Sequence, residues 1–269
     1  MLPENSLSTV LNARTKGHGT ETIVFAHGYG TDQSIWDKIT PFFVENYNVV
    51  LFDWSFSGAV KDKSLYDSMK YSSFEAFADD LVTLLGQMEL ENVTFVGHSM
   101  SGMIGCIASI KSPHLFKRLI LLGASPRYIN TDDYEGGFTC SDIEQLFMNI
   151  ESNYENWVSA FSLLVVDPND GVSVKIFQEC LKKMGVEVAL SLAKTVFYCD
   201  YRNILEKVET PCTIINTSHD IVAPKSVALY MEKNIAGKVT SKVIDAYGHF
   251  PQLTSHYKLV EVLIGVLSL

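Results

Sequence analysis

Six short runs of apolar, mostly β-branched residues recur along the chain: Thr22–Ala26, Val49–Phe52, Val93–Val96, Leu119–Leu122, Cys212–Ile215 and Val239–Ile244. Most lack strict alternation of apolar and polar positions, so they predict strands covered on both faces. Up to about Ile129 they alternate with helical patterns, and from about Arg202 the same alternation resumes. That order predicts an α/β fold built on a mostly parallel central sheet flanked by helices. Between roughly Asn130 and Asp200 strands vanish and apolar residues recur at helical spacing. Ser141-Asp142-Ile143-Glu144 reads as a capping box opening a helix that puts Leu146 and Ile150 on one face. Trp157, Phe161 and Leu164 follow, then Val174, Phe177 and Leu181, then Val188, Leu192, Val196 and Phe197. The expected organisation is a core of residues 1–129 and 202–269 with a helical lid, 130–201, inserted between its halves.

Candidate chemistry sits at the ends of the predicted strands. Gly97-His98-Ser99-Met100-Ser101-Gly102 follows the run Val93–Val96 and opens an apolar helix, so Ser99 occupies a sharp strand-to-helix turn, the setting of a nucleophile elbow. By itself Gly-x-Ser-x-Ser is also compatible with an ordinary turn. Two further residues change the weighing. Asp220 follows the strand at Cys212–Ile215, and His249 follows the run ending at Ile244. Serine, acid and histidine thus appear in the chain order of a Ser-Asp-His triad, each just past the carboxyl end of a strand, where sites in open α/β sheets collect. Upstream, Thr22–Ala26 runs into His27-Gly28-Tyr29-Gly30, a loop able to aim a main-chain N–H across the pocket. The second oxyanion donor would be the N–H of Met100, directly after the serine. His27 reads as a brace for this loop rather than as a base.

Composition narrows the partners. A chain of 269 residues is long enough for one large core. A formal charge of −10 without a Lys/Arg cluster argues against nucleic acid and anionic membrane surfaces. Met1–Ser6 has no basic and apolar leader pattern, so no signal peptide is expected, and no apolar run reaches membrane-spanning length. The five cysteines, Cys106, Cys140, Cys180, Cys199 and Cys212, are scattered and unpaired in spacing. They suggest reduced thiols in the cytoplasm or nucleus. The Asn92-Val93-Thr94 and Asn216-Thr217-Ser218 triplets overlap strand ends and read as chance matches to a glycosylation pattern. No phosphate loop, zinc-ligand pair or dinucleotide fingerprint occurs, so neither a metal nor a cofactor is expected. The greasy tail Leu259–Ile264 reads as a helix packed on the sheet.

Several segments together resemble the plant strigolactone and karrikin receptor family of α/β hydrolases: His27–Trp36, Gly97–Ser101, Ala124–Tyr128, Tyr134–Phe138 and Gly248–Leu253. The likeness runs over nearly the whole chain and makes Ser-x-Ser a family feature. Phe52–Ala59 is more similar to the divergent DWARF-fourteen-like branch. The resemblance implies a four-helix lid over an α/β-hydrolase core and a triad of Ser99, Asp220 and His249. It also implies oxyanion N–H groups from Tyr29 and Met100, and a ligand pocket lined by Tyr29, Phe138, Leu146, Trp157, Phe161, Phe177, Phe197 and Val222. Tyr29 stands where the receptors usually carry phenylalanine, and Trp54–Ala59 replaces a more glycine-rich loop. The expected function is binding and slow hydrolysis of a butenolide ligand by a serine hydrolase, in hormone signalling or ligand clearance. A metabolic carboxylesterase and an interaction protein with vestigial catalysis are the alternatives. The family implies F-box and repressor partners; a monomer is expected.

Overall fold

The structure is a computed structural model that describes residues 6–268. The segment before Ser6, on which the expectation about a leader partly rests, lies outside the described residues. A short helix α1 (Leu7–Val10) leads into β1 (Arg14–Lys16), β2 (Glu21–Ala26) and β3 (Tyr47–Leu51). Then follow α2 (Phe74–Gln87), β4 (Val93–His98), α3 (Met100–Lys111) and β5 (Phe116–Leu122). Four helices come next, α4 (Cys140–Ser152), α5 (Tyr154–Val165), α6 (Gly171–Met184) and α7 (Val186–Phe197). The chain closes with β6 (Cys212–His219), α8 (Lys225–Asn234), β7 (Val239–Tyr247), α9 (Pro251–Thr254) and α10 (His256–Leu267).

The seven strands form one sheet in the order β1-β3-β2-β4-β5-β6-β7, parallel throughout except for β1 against β3. Register runs straight across the middle, with Phe25 beside Val96, Val96 beside Ile120 and Ile120 beside Thr213. Every residue of β4 is buried, which explains why its Val93–Val96 run lacks the alternation of a half-exposed strand. All six strands expected from the apolar runs are present. The edge strand β1 is an addition: its Arg-Thr-Lys is exposed throughout, so it carries no hydrophobic signal and exists only by pairing with β3. The carboxyl ends of the parallel strands lie on one side of the sheet, and the loops that leave them build the site.

Between β5 and β6 the chain leaves the sheet. In the resulting helical layer α4 packs on α5, α5 on α6, α6 on α7, and α7 back on α4. Arg127 and Asp200 pair at the base of this excursion through an antiparallel bridge and a 2.6 Å ion pair. The cap of α4 differs from the Ser141 expectation. Thr139 is the N-cap: its Oγ1 accepts from the Asp142 N–H, and the Asp142 carboxylate accepts from the Thr139 N–H at 2.8 Å. Ser141 falls inside the first turn, because a Thr-x-x-Asp pattern two residues upstream satisfies the orphan N–H groups first. On α5 the buried stripe is Trp157, Val158, Phe161 and Val165, while Leu164 faces solvent at 57% exposure. The tail is helical as expected, with Leu259, Val260, Leu263 and Val266 of α10 buried. No helix among the described residues is long and apolar enough to cross a membrane.

Candidate active site

Ser99 links β4 to α3 with φ 57° and ψ −126°, a left-handed conformation that strains a residue with a side chain. Neighbours hold it there: its N–H donates to the Leu122 carbonyl at 2.8 Å, and its own carbonyl accepts from the Gly102 N–H at 2.9 Å. Gly97 makes the turn possible. A Cβ at that position would lie 2.6 Å from the Ser101 carbonyl carbon, so any side chain would push α3 off the strand. Ser101, the second serine of the motif, donates from Oγ to the His27 carbonyl at 2.5 Å. The Trp54 indole N–H reaches both Ser101 Oγ (2.9 Å) and the same carbonyl (3.0 Å). A serine in place of glycine thus pins the elbow helix to the end of β2.

The candidate acid and base arrive on separate strands. β6 ends at His219, so Asp220 is the next residue, and β7 ends at Tyr247, two residues before His249. The His249 Nδ1–H donates to Asp220 Oδ2 at 2.7 Å. The other carboxylate oxygen, Oδ1, accepts from the N–H groups of Val222 (2.8 Å) and Ala223 (3.2 Å), which fixes the carboxylate plane. His249 is held from behind by His98, whose Nε2–H donates to the His249 carbonyl at 2.8 Å and whose ring lies 4.8 Å from the His249 ring. Burial drives the His98 pKa well below its ordinary value, and the adjacent His249 adds to the depression. With Nδ1 committed to Asp220, His249 keeps Nε2 buried and without a partner among the described residues. Ser99 and His249 line the same cavity. An unpartnered Nε2 on the wall that also carries a strained serine is the disposition of a general base awaiting its substrate.

The loop after β2 supplies the opposite wall. The N–H of Tyr29 makes no hydrogen bond among the described residues, and Met100 opens α3, where helix geometry leaves the N–H without an internal partner. These are the two N–H groups expected as oxyanion donors. His27 is a brace: its Nε2 accepts from the Trp54 N–H at 3.0 Å, its Nδ1 faces the Gly28 carbonyl at 3.1 Å, and it is wholly buried. Desolvation lowers its pKa, with Asp53 pulling the other way. Among the described residues no cluster of three or more His, Cys, Asp or Glu side chains is placed to hold a metal ion.

Above Ser99 and His249 lies a narrow cavity of about 20 Å³ lined by Tyr29, Ser99, Tyr128, Phe161, Val165, Phe177, Val196, Phe197, Val222, His249 and Phe250. Five of the eight expected pocket residues are here: Tyr29, Phe161, Phe177, Phe197 and Val222. Phe138, Leu146 and Trp157 are not among the lining residues. Trp157 stacks on the back of Phe161 at 4.9 Å, and Phe138 meets the edge of Phe197 at 5.7 Å. Leu146, half-buried on α4, packs on the core. For Leu146 and Trp157 the helical face is legible in the sequence, but depth within the helical layer is not; Phe138 precedes α4 and lies on no helix. Four apolar lining residues were missed. Tyr128 follows the carboxyl end of β5 and Phe250 follows His249, so both stand at the strand ends that flagged the triad, and that signal would have found them. Val165 and Val196 carry no such mark. The Tyr128 hydroxyl is buried, and burial raises its pKa far above the ordinary range, with the Ser99 side chain opposing the rise.

Residues 21–255 match the family model of the alpha/beta hydrolase fold. The chain is 40% identical to the Karrikin insensitive 2 receptor IA of Petunia hybrida, covering 98% of this chain and 96% of the relative. It is 38% identical to Strigolactone esterase D14 of Arabidopsis thaliana, over 97% and 98%. Identities to the karrikin and strigolactone relatives are thus near equal and do not separate the branches. Among solved structures, a hydrolase from Oleispira antarctica superposes with a TM-score of 0.94 at 29% identity, covering 98% of this chain and 97% of that one. The chain belongs to the α/β-hydrolase family, within the group that contains the karrikin and strigolactone receptors of plants.

Proposed function

We propose that this protein binds a small, mostly apolar butenolide-type lactone and hydrolyses it slowly with Ser99, Asp220 and His249. The observation that carries the reading is the convergence of three strand ends on one aromatic cavity: a serine held at positive φ, and a histidine whose Nδ1 is fixed by a carboxylate while Nε2 stays unpartnered. Ser99 Oγ attacks the lactone carbonyl while His249 Nε2 takes its proton. The N–H groups of Tyr29 and Met100 receive the oxyanion. As the ring C–O bond breaks, His249 returns the proton to the departing oxygen. Water then attacks the acyl-serine with the same histidine as base, releasing the acid and restoring Ser99.

The wall is apolar apart from the Tyr29 and Tyr128 hydroxyls and the triad, which suits a lactone better than a sugar or a phosphate. Ser99 and His249 are only 5% and 4% exposed, so ligand entry and product exit require the lid to move, and such a step commonly limits turnover. The relatives' names as strigolactone esterase and karrikin receptor support the butenolide class and a receptor role. We further propose a monomer in the cytoplasm and nucleus, with an F-box protein and a repressor as partners of the liganded form. Whole-chain likeness to a bacterial hydrolase favours a second reading, a metabolic esterase of small acyl esters. Single-turnover and steady-state assays on butenolides and p-nitrophenyl acetate test both. The proposal expects slow, saturable cleavage lost in Ser99→Ala together with fluorophosphonate labelling. Brisk turnover of simple esters would favour the esterase, and undiminished labelling of Ser99→Ala would move the nucleophile elsewhere.

A further inference from the structure

The loop that carries the Tyr29 N–H is gripped by the lid at three points. The Tyr29 phenol donates to the carbonyl of Ala189, in the first turn of α7, at 2.9 Å across 160 residues of chain, and the bond is buried. The same ring stands edge-on to Phe197 at the far end of α7, with centroids 6.4 Å apart. Gly30 follows with φ +72°, and a Cβ there would lie 2.5 Å from Leu181 Cδ2, so α6 rests on the backbone of the loop. Two residues on, the Cys180 thiol of α6 donates to Asp32 Oδ2 at 3.5 Å, while Asp32 Oδ1 accepts from the Ser34 N–H at 2.9 Å. Both helices of one side of the lid therefore touch the four residues Tyr29–Asp32, whose first N–H is the candidate oxyanion donor. Burial holds the Tyr29 pKa well above its ordinary value, so the phenol keeps the proton it donates across the working pH range.

Resting on the reading of Ser99 as nucleophile, we propose that the Tyr29 hydroxyl is a positioning group that couples lid closure to the oxyanion hole. With α7 seated, the bond to Ala189 sets the height of the loop and aims its N–H at the reacting carbonyl. When α7 lifts to admit a ligand, the bond breaks and the donor loses that setting. Attack is thereby confined to the closed state, where water is excluded and a main-chain donor is most effective. Phenylalanine at this position fills the same space and leaves no orphaned donor, so its removal uncouples the two parts without unfolding either.

The test compares wild-type, Tyr29→Phe and Ser99→Ala proteins by amide hydrogen exchange without ligand and by steady-state hydrolysis of p-nitrophenyl acetate. In Tyr29→Phe the amides of Val186–Phe197 should exchange about 2- to 10-fold faster, the range expected for one buried hydrogen bond. Those of α10 should be unchanged. The kcat should fall about 3- to 10-fold while KM stays within about twofold, because a misaimed oxyanion donor acts in the transition state rather than on binding. Wild-type exchange in α7 would overturn the proposal, whatever the rate. Faster exchange with an unaltered kcat would overturn it as well, since the lid would then be tied to nothing catalytic. Turnover that survives in Ser99→Ala would instead defeat the nucleophile reading, and the exchange measurement would still judge the tie on its own.

Discussion

At Asp220 two backbone N–H groups decide what a substitution does. Val222 and Ala223 both donate to Oδ1, so an asparagine must turn its carbonyl oxygen toward them and present its NH₂ to His249 Nδ1. The imidazole would then accept at Nδ1 and carry its proton on Nε2, the tautomer that cannot take a proton from Ser99. Asp220→Asn should therefore lower hydrolysis by a factor on the order of 10⁴ while the fold survives. Rate assays beside a thermal melt check this, and a near-wild-type rate would remove Asp220 from the triad. His249→Ala should cost orders of magnitude in the same assay. The roles of these residues rest on order and strand-end position in the sequence; the hydrogen bond between residues 29 positions apart is what the fold adds.

At the scale of the helix, depth separates residues that share a sequence signal. Trp157 and Phe161 lie one turn apart on α5, yet Phe161 faces the cavity and Trp157 supports it from behind. Phe161→Ala should weaken binding of a butenolide probe about 10-fold or more. Trp157→Ala should cost about 3–5 kcal/mol of stability and leave the affinity of the folded fraction within about twofold. Dissociation constants set against urea midpoints distinguish the two, and equal effects on affinity would show that the cavity wall is misassigned. The start of α4 offers a cleaner comparison. Thr139→Ala removes the cap and should cost about 1 kcal/mol, whereas Ser141→Ala, in the first turn, should be nearly neutral in the same denaturation series. Both patterns look like capping boxes in one dimension; the chain can stop being helical at only one of them.

For the molecule as a whole, two buried neutral histidines set the response to acid. His27 and His98 are both fully buried, and in both desolvation lowers the folded-state pKa. Unfolded, they take up protons below about pH 6.5, while the native state does not until lower pH. The unfolded state therefore binds more protons in that window, and stability falls as pH drops below about 6.5 and is constant above it with respect to these groups. The combined slope approaches about 2–3 kcal/mol per pH unit while both remain neutral in the native state. Urea midpoints between pH 7.5 and 5.0 measure it, and His98→Gln should flatten the curve. An equally steep fall in that variant would place the sensitivity elsewhere.

The sequence by itself determined what local pattern can carry. Buried strands had to be unbroken apolar runs, the elbow had to place a small residue at Gly97, and the order of Ser99, Asp220 and His249 along the strands announced a site where the strands end. Edge strand β1 escaped because it pairs on one side only and keeps its own side chains in solvent, which demands no apolar face. Tertiary structure alone decided which lid aromatics reach the cavity, since helical spacing specifies a face and not what lies opposite it. It also decided that Ser101 and Trp54 meet on the His27 carbonyl, and that the Tyr29 hydroxyl finds Ala189. Those contacts join segments 27 to 160 residues apart, and nothing in a one-dimensional pattern specifies which distant backbone oxygen a buried donor will reach.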